Sequence, residues 1–276
     1  MRSKGFFGFD YYKVGDEWKS QFPRSLLSRL HLRWLVVNIL AFKNWLRIYT
    51  GKSPYRVVTR DGAIFETSRK ARDLPIIAYI FHFKEYGDLS GLPRNATVID
   101  LGGHIGSFSV FALKENPSAR VFTYEPTPES FSALKKNITL NGLEERCAVF
   151  QKAVAGIAGP RTFFMSEKNA SNSFIDHKKD TRSTTVQCTT LDDIFAENHI
   201  EKCELLKMDI EGAEFETISA ASDDVLSRVQ TIILEWHEKG STHGERDILE
   251  LLSRRGFSTR SDFPSRNLIT ATNTKL

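Results

Sequence analysis

Two apolar runs, each with an acid at or near its end, constrain the fold of this chain more than any other feature. Residues 98–101 contain Asp100 and lead into a glycine-rich stretch, residues 102–106, and a second run, residues 121–124, ends at Glu125. This order is typical of a βαβ unit in a parallel sheet. Glycine lets backbone approach a ligand closely, and an acid at the next strand end can accept hydrogen bonds from a ribose diol. The two runs predict a site for an adenosine-containing cofactor.

A third apolar run ends in a cluster of acids. Residues 205–208 are followed by Asp209, Glu211 and Glu214. Ligands of open α/β sheets bind at the carboxyl ends of the strands, so we expect Asp209 and Glu211 at the same edge as the earlier acids. Carboxylates removed from water there need a ligand or a partner, which makes both residues candidate catalytic groups. Glu214, in the first turn of a predicted helix, is accounted for by the helix dipole alone.

His237 follows a further apolar strand, residues 231–234, together with Glu235 and Trp236. A neutral histidine can take a proton from a hydroxyl because its ordinary pKa lies close to neutral pH. A lone histidine is more often a satisfied surface group. Its predicted position at the same sheet edge as Asp209 makes His237 a third candidate catalytic residue.

From residue 97 onward, strand and helix patterns alternate, which predicts a doubly wound α/β sheet. Residues 1–52 differ in pattern and are predicted to form an N-terminal helical extension to a single domain, residues 53–276. Within the extension, residues 26–48 are basic and aromatic, and their most apolar run is too short to span a bilayer. This segment is predicted to pack on the domain or a second subunit, with peripheral membrane contact as the alternative.

Charge and cysteine content exclude several function classes. The net charge of +4 comes without a clustered basic patch, which gives no indication of nucleic-acid binding. The 3 cysteines show no CxxC spacing, so neither a disulfide framework nor a zinc site is predicted. Without a recognisable signal peptide, these features favour a cytoplasmic protein.

Several helix boundaries can be predicted from capping residues. Thr127 is expected to cap the helix after Glu125 through its hydroxyl, with Pro128 at the first helical position. Gly142 should end that helix. Thr190, three residues before Asp193, predicts a capping box. The polar, aperiodic residues 166–182 are predicted to form a loop over the site.

The motifs described above resemble, in the same order, those of FkbM-type methyltransferases. The resemblance rests on residues 98–106, 124–126, 190–193, 206–214 and 234–237 and covers about residues 56–257. It implies a class I methyltransferase-like Rossmann fold with a mostly parallel seven-stranded sheet. It also implies S-adenosylmethionine as cofactor and a hydroxyl of a sugar, glycan or secondary metabolite as acceptor.

The resemblance assigns roles to the motif residues. The glycine turn would hold the methionine end of the cofactor, Glu125 would bind the ribose, and Asp209 would lie near the transferable methyl group. The segment after the third strand would flank adenine. The predicted cofactor-binding residues are Asp100, Gly102, Gly103, His104, Gly106, Glu125, Pro126, Lys152, Ala153 and Asp209, and the candidate catalytic residues are Asp209, Glu211 and His237.

Alternatives remain open from the residues alone. A nicotinamide-dependent oxidoreductase uses a similar turn but usually a GxGxxG spacing, and a non-catalytic cofactor-binding module needs no acid cluster. The carboxylates and histidine would suit an oxygen-loving cation, yet the resemblance requires none, so no metal is predicted. Enzymes that methylate nucleic-acid bases tend to carry a proline–aromatic run after the fourth strand. The acids at that place here argue against nucleic acid.

Overall fold

The computed structural model describes residues 2–4, 10–14, 17–21, 56–59, 61–67, 73–166, 181–237, 243–262 and 267–276. The chain divides into two compact units. The first unit comprises Met1–Gly62 and Thr67–Glu85, and the second comprises Ala63–Glu66 and Tyr86–Leu276.

The first unit contains three short antiparallel strands near the N-terminus, where a helical extension was expected. They are β1 (Arg2–Lys4), β2 (Asp10–Val14) and β3 (Glu17–Gln21). The helical prediction is therefore wrong for these residues, because aromatic and β-branched residues that alternate with charged ones favour a strand. Residues 26–48, which carry the predicted basic aromatic helix, lie outside the described residues, and the boundary after residue 52 stays a prediction. The described residues of this unit also include β4 (Arg56–Val58) and a helix, α1 (Asp73–Phe81).

The second unit is an α/β domain in which helices connect successive strands. Its first part comprises β5 (Ile64–Glu66), β6 (Thr97–Leu101), α2 (Ser107–Glu115), β7 (Arg120–Tyr124), α3 (Pro128–Leu140), β8 (Cys147–Phe150), β9 (Ala153–Val154), β10 (Gly159–Ser166) and β11 (Thr181–Thr189). Its second part comprises α4 (Leu191–Glu197), β12 (Cys203–Met208), α5 (Glu214–Ala220), α6 (Asp223–Ser227), β13 (Val229–Glu235), α7 (Glu245–Arg254), β14 (Phe257–Ser261) and β15 (Leu268–Asn273).

The central sheet has seven strands in the order β14-β15-β13-β12-β6-β7-β8. The strands from β13 to β8 are parallel, and β15 pairs antiparallel with both β13 and β14. The sheet confirms the predicted doubly wound, mostly parallel architecture. Because β6 lies between β12 and β7, the segments that follow these three strands meet at one edge.

A smaller sheet contains β10 and β11 as an antiparallel pair, with β9 parallel to β11. The predicted loop over the site connects β10 to β11, and residues 167–180 of it lie outside the described residues. The capping box that begins α4 is confirmed, with both the Thr190 hydroxyl and the Asp193 carboxylate making their expected bonds. Gly142 follows α3 with a φ of 64° and confirms the predicted helix end.

Buried apolar side chains of the central sheet pack with those of α4, α5, α6 and α7 in the main core. The largest fully buried residues include Tyr124, Ile99, Leu205 and Leu191. All three cysteines are free and buried. None of the helices in the described ranges combines the length and apolar character needed to cross a bilayer.

Candidate active site

The glycine turn after β6 packs so closely against its neighbours that side chains are excluded at three positions. A Cβ at Gly102, where φ is 81°, would overlap the carbonyl oxygen of Asp209, and one at Gly103 would overlap the side chain of Thr123. At Gly106, where φ is 86°, a Cβ would lie 2.8 Å from Leu134. The turn is therefore fixed directly against the residue that follows β12.

Glu125 lies beside this turn and accepts three hydrogen bonds from the protein. Its Oε1 accepts from the amide of Thr127 at 2.9 Å and the hydroxyl of Thr127 at 2.6 Å. Its Oε2 accepts from the amide of His104 at 3.0 Å. The contact joins the predicted ribose acid to the glycine turn, in which His104 has a φ of 49°. Burial raises the pKa of Glu125 above its usual range, against the effect of these donors.

The same contacts correct the predicted cap of α3. Thr127 occupies the N-cap position but makes no side-chain cap bond, and its hydroxyl donates to Glu125. Pro128 begins the helix as expected. Thr127 thus holds the carboxylate of Glu125 in place, a role that the capping pattern did not predict.

Asp100 lies beneath the turn rather than at its surface. Its side chain is fully buried and forms an ion pair with Lys207, with 3.1 Å between Oδ1 and Nζ. Its Oδ2 accepts a hydrogen bond of 2.6 Å from the Ser109 hydroxyl. The carboxylate is enclosed by its own protein partners, and its expected contact with a cofactor stays a prediction.

The contacts described for the residues predicted to flank adenine are with other parts of the domain than the glycine turn. Ala153 is buried in β9, where it pairs with Cys188 of β11. Lys152 forms an ion pair of 2.9 Å with Glu197. Pro126 is half-buried directly after Glu125. The adenine contacts stay a prediction, and burial leaves the Ala153 side chain little surface for a ligand.

The three candidate catalytic residues lie together, as predicted. The Nε2 atom of His237 is 3.7 Å from Oδ1 of Asp209 and 3.5 Å from Oε2 of Glu211. Asp209 and Glu211 follow β12, and His237 follows β13, the neighbouring parallel strand. All three side chains are partly exposed, between 18% and 29%. They form an acid–histidine cluster at the sheet edge.

A fourth residue, Glu214, organises this cluster and has more than the helix-dipole role expected. Its side chain is 1% exposed and lies 3.1 Å from Nδ1 of His237. It also accepts hydrogen bonds from the amides of Ile210 and Gly212. Glu214 therefore fixes both the histidine ring and the loop that contains Glu211.

The charge state of His237 follows from its neighbours. Burial lowers the pKa of His237, but the hydrogen bond with Glu214 and the charges of Asp209, Glu214 and Glu211 outweigh it and raise the pKa to about 10. The ring is therefore an imidazolium at neutral pH and holds no lone pair with which to accept a proton.

The cluster also has the donor atoms for a cation. Asp209, Glu211 and His237 each offer one ligand atom, and these atoms lie within 4.8 Å of one another. A divalent cation would have to displace the proton on His237. The prediction that no metal takes part stays a prediction.

Lys207 also lies at this edge of the sheet, and the sequence motifs predicted no role for it. Its side chain is 4% exposed, and its Nζ donates to the carbonyl oxygens of Leu101 at 3.3 Å and Gly102 at 2.9 Å. A lysine within an otherwise apolar buried strand is itself a signal, because such a charge needs partners.

A family model and several curated proteins match this chain. Residues 100–259 match the model of the "Methyltransferase FkbM domain" family. The chain is 25% identical over 205 residues to Methyltransferase sdnD of Sordaria araneosa. The alignment covers 63% of this chain and 78% of that protein.

Two further relatives have names that specify a reaction. The chain is 26% identical to 31-O-demethyl-FK506 methyltransferase FkbM of Streptomyces tacrolimicus, over 58% of this chain and 72% of that protein. It is also 26% identical to 2-O-methyltransferase NoeI of Sinorhizobium fredii (strain NBRC 101917 / NGR234), over 60% of this chain and 74% of that protein.

Proposed function

We infer that this chain, which belongs to the FkbM methyltransferase family and is an S-adenosylmethionine-dependent methyltransferase, methylates a hydroxyl oxygen of a sugar, glycan or secondary metabolite. The family model spans more than half of the chain, which excludes the nicotinamide-dependent alternative. The substrate part of the inference is our proposal.

The observation that carries the proposal is the acid–histidine cluster beside the glycine turn. A hydroxyl must lose its proton as its oxygen takes the methyl group, and a carboxylate within reach can accept that proton. Three carboxylates surround one imidazolium, which leaves the cluster negative. Such a site attracts a sulfonium cation and repels phosphates, which favours a neutral hydroxyl acceptor over a nucleic acid.

Among the candidates, Asp209 is the proposed general base. Its backbone contacts the turn that would hold the methionine end of the cofactor, and its Oδ1 is buried without a hydrogen-bond partner. His237 is protonated and acts instead by holding the Asp209 and Glu211 carboxylates in position.

The reaction balances with these groups alone. The acceptor oxygen forms a bond to the methyl carbon while the sulfur–methyl bond breaks, and the hydroxyl proton passes to Asp209. The products are a methyl ether and S-adenosylhomocysteine. The protein contributes mainly by aligning the acceptor oxygen with the sulfonium, which accounts for a large part of the acceleration of such transfers.

The acceptor class is tested by incubating the protein with methyl-labelled S-adenosylmethionine and panels of oligosaccharides, polyketides, proteins and RNA. We expect label in an oligosaccharide or a hydroxyl-bearing metabolite, stable to mild base as a methyl ether is. Label found only in RNA or protein would contradict the proposal.

The role of Asp209 is tested with the acceptor that this screen identifies. Asp209→Asn should lower kcat by about 100-fold to 10,000-fold, the usual contribution of a general base, and leave S-adenosylhomocysteine affinity within about threefold. Asp223→Asn is the matched control, because Asp223 is an exposed acid paired with Arg255. If Asp209→Asn retained full activity and Glu211→Gln did not, Glu211 would be the base.

A further inference from the structure

Lys207 makes contacts that no part of the proposed chemistry uses. It lies in β12 opposite Asp100 of β6, with its side chain enclosed between the two strands and the glycine turn. Its ammonium group donates hydrogen bonds to the carbonyl oxygens of Leu101 at 3.3 Å and Gly102 at 2.9 Å. It also forms an ion pair with Asp100, with 3.1 Å between Nζ and Oδ1.

Two aromatic rings complete this enclosure. The Nζ atom lies 5.7 Å from the ring centre of Tyr86 and 5.9 Å from that of Phe108, which are in edge contact with each other. Burial lowers the pKa of Lys207, but the charges of Asp100 and Asp209 outweigh it and raise the pKa. Lys207 thus lies enclosed at the base of the turn.

Two of its acceptors belong to the turn or to its entry. The carbonyl oxygen of Leu101 also accepts the backbone amide of Asp209 at 3.0 Å. The other carbonyl is that of Gly102, a residue that lies too close to the Asp209 backbone to carry a side chain. One ammonium group therefore fixes the turn relative to the strand end that carries Asp209.

We propose that Lys207 is a positioning residue for the cofactor, which holds the carbonyls of Leu101 and Gly102 so that the turn keeps its cofactor-binding conformation beside Asp209. An ion pair with Asp100 alone would require only the contact between Nζ and the carboxylate. Lys207 also donates to two carbonyl oxygens, and these two hydrogen bonds stabilise one conformation of the turn. An uncharged side chain of the same length cannot replace them.

A double-variant comparison separates this role from a purely structural ion pair. Lys207→Met leaves Asp100 buried and unpaired, which is strongly destabilising in itself. Asp100→Asn removes that charge, so the double variant K207M/D100N should recover most of the urea resistance lost in K207M. Its turn carbonyls still lack the ammonium group.

The deciding measurement is the calorimetric affinity for S-adenosylhomocysteine. We expect the double variant to bind this ligand about tenfold more weakly than D100N alone, the size of effect of one lost hydrogen bond to a charged group. Equal affinity in the two variants would overturn the proposal, and K207M need not fold for the comparison to stand.

Ser109→Ala is the matched control. It removes a hydrogen bond to the same Asp100 carboxylate but leaves both turn carbonyls paired with Lys207. It should bind S-adenosylhomocysteine with wild-type affinity, and an equal loss there would assign the effect to Asp100. These measurements use no acceptor, so they can succeed or fail independently of the proposed hydroxyl methylation.

Discussion

Glu125 is held in place by the protein's own donors, with two bonds to one carboxylate oxygen and one to the other. Each carboxylate oxygen can accept about two hydrogen bonds, so Oε2, which has one protein donor, can still accept from a ribose hydroxyl. Thr127 and His104 thus hold a group whose ionised form burial disfavours. This preorganised arrangement supports the predicted ribose contact.

Replacement of Glu125 should therefore weaken cofactor binding strongly and lower the free energy of unfolding only a little. We expect Glu125→Gln to raise the dissociation constant of S-adenosylhomocysteine by about 10-fold to 100-fold, because hydrogen bonds to charged groups contribute about 1.5–3 kcal/mol. Calorimetry measures this change, with Glu129→Gln, an exposed acid in the first turn of α3, as the control. Unchanged affinity in Glu125→Gln would remove Glu125 from the ribose site.

His237 predicts a pH dependence of stability with a definite sign. Its folded-state pKa, about 10, lies above its ordinary value of 6.5, so folding favours the protonated ring. This contribution to the free energy of unfolding is complete below about pH 6.5 and is lost as the pH rises toward about 10.

Urea denaturation from pH 6 to about 10, with a chelator present, tests this expectation. The stability difference between the wild type and His237→Gln should be largest at the acid end and shrink steadily toward the alkaline end. A difference that stays constant across this range would show that His237 is neutral in the folded protein.

Sequence patterns identified most of the side chains at the site but not all of their functions. Asp209, Glu211 and His237 could be placed together because each follows a strand of one parallel sheet. The roles of Thr127, Glu214 and Lys207 depend on contacts across the sheet edge. No spacing along the chain specifies those contacts.

At the level of elements, the turn between β6 and α2 is where local geometry is most restricted. Gly102 and Gly142 both have positive φ, 81° and 64°, but a Cβ at Gly142 meets nothing within 4 Å. Both replacements by alanine carry the backbone strain of a left-handed residue, about 1–2 kcal/mol. Only the replacement at Gly102 also forces the turn away from Asp209.

Gly102→Ala should therefore abolish measurable S-adenosylhomocysteine binding and lower the midpoint of urea denaturation more than Gly142→Ala does. Gly142→Ala should keep wild-type affinity. If both variants bound the ligand equally well, the close approach of the turn to Asp209 would not matter for the cofactor site.

Sequence periodicity predicted the helices and strands correctly in one part of the chain and wrongly in another. The alternation of strands and helices after residue 97 is predictable from such features as the fully buried strand β12 and the capping box that begins α4. The strands of residues 2–21 fall within the predicted helical extension. Whether such short segments form strands depends on pairing between neighbouring strands, which periodicity does not specify.

For the whole molecule, the site contacts that the structure describes belong to one of the two units. The contacts described for the glycine turn, Glu125, Lys207 and the acid–histidine cluster all lie within residues 86–276 of the second unit. We propose that residues 26–48 serve attachment to a second subunit or an anionic membrane surface, which their basic and aromatic side chains suit.

Deletion of residues 1–52 tests the predicted boundary. Because none of the described site contacts involves those residues, the shortened protein should bind S-adenosylhomocysteine within about threefold of the full chain, a difference of about 0.7 kcal/mol. Sedimentation and flotation with anionic vesicles should show that only the full chain self-associates or binds membranes. A shortened protein that unfolds, or that loses the ligand, would place the boundary elsewhere and would make the N-terminal residues part of the folding unit that holds the cofactor.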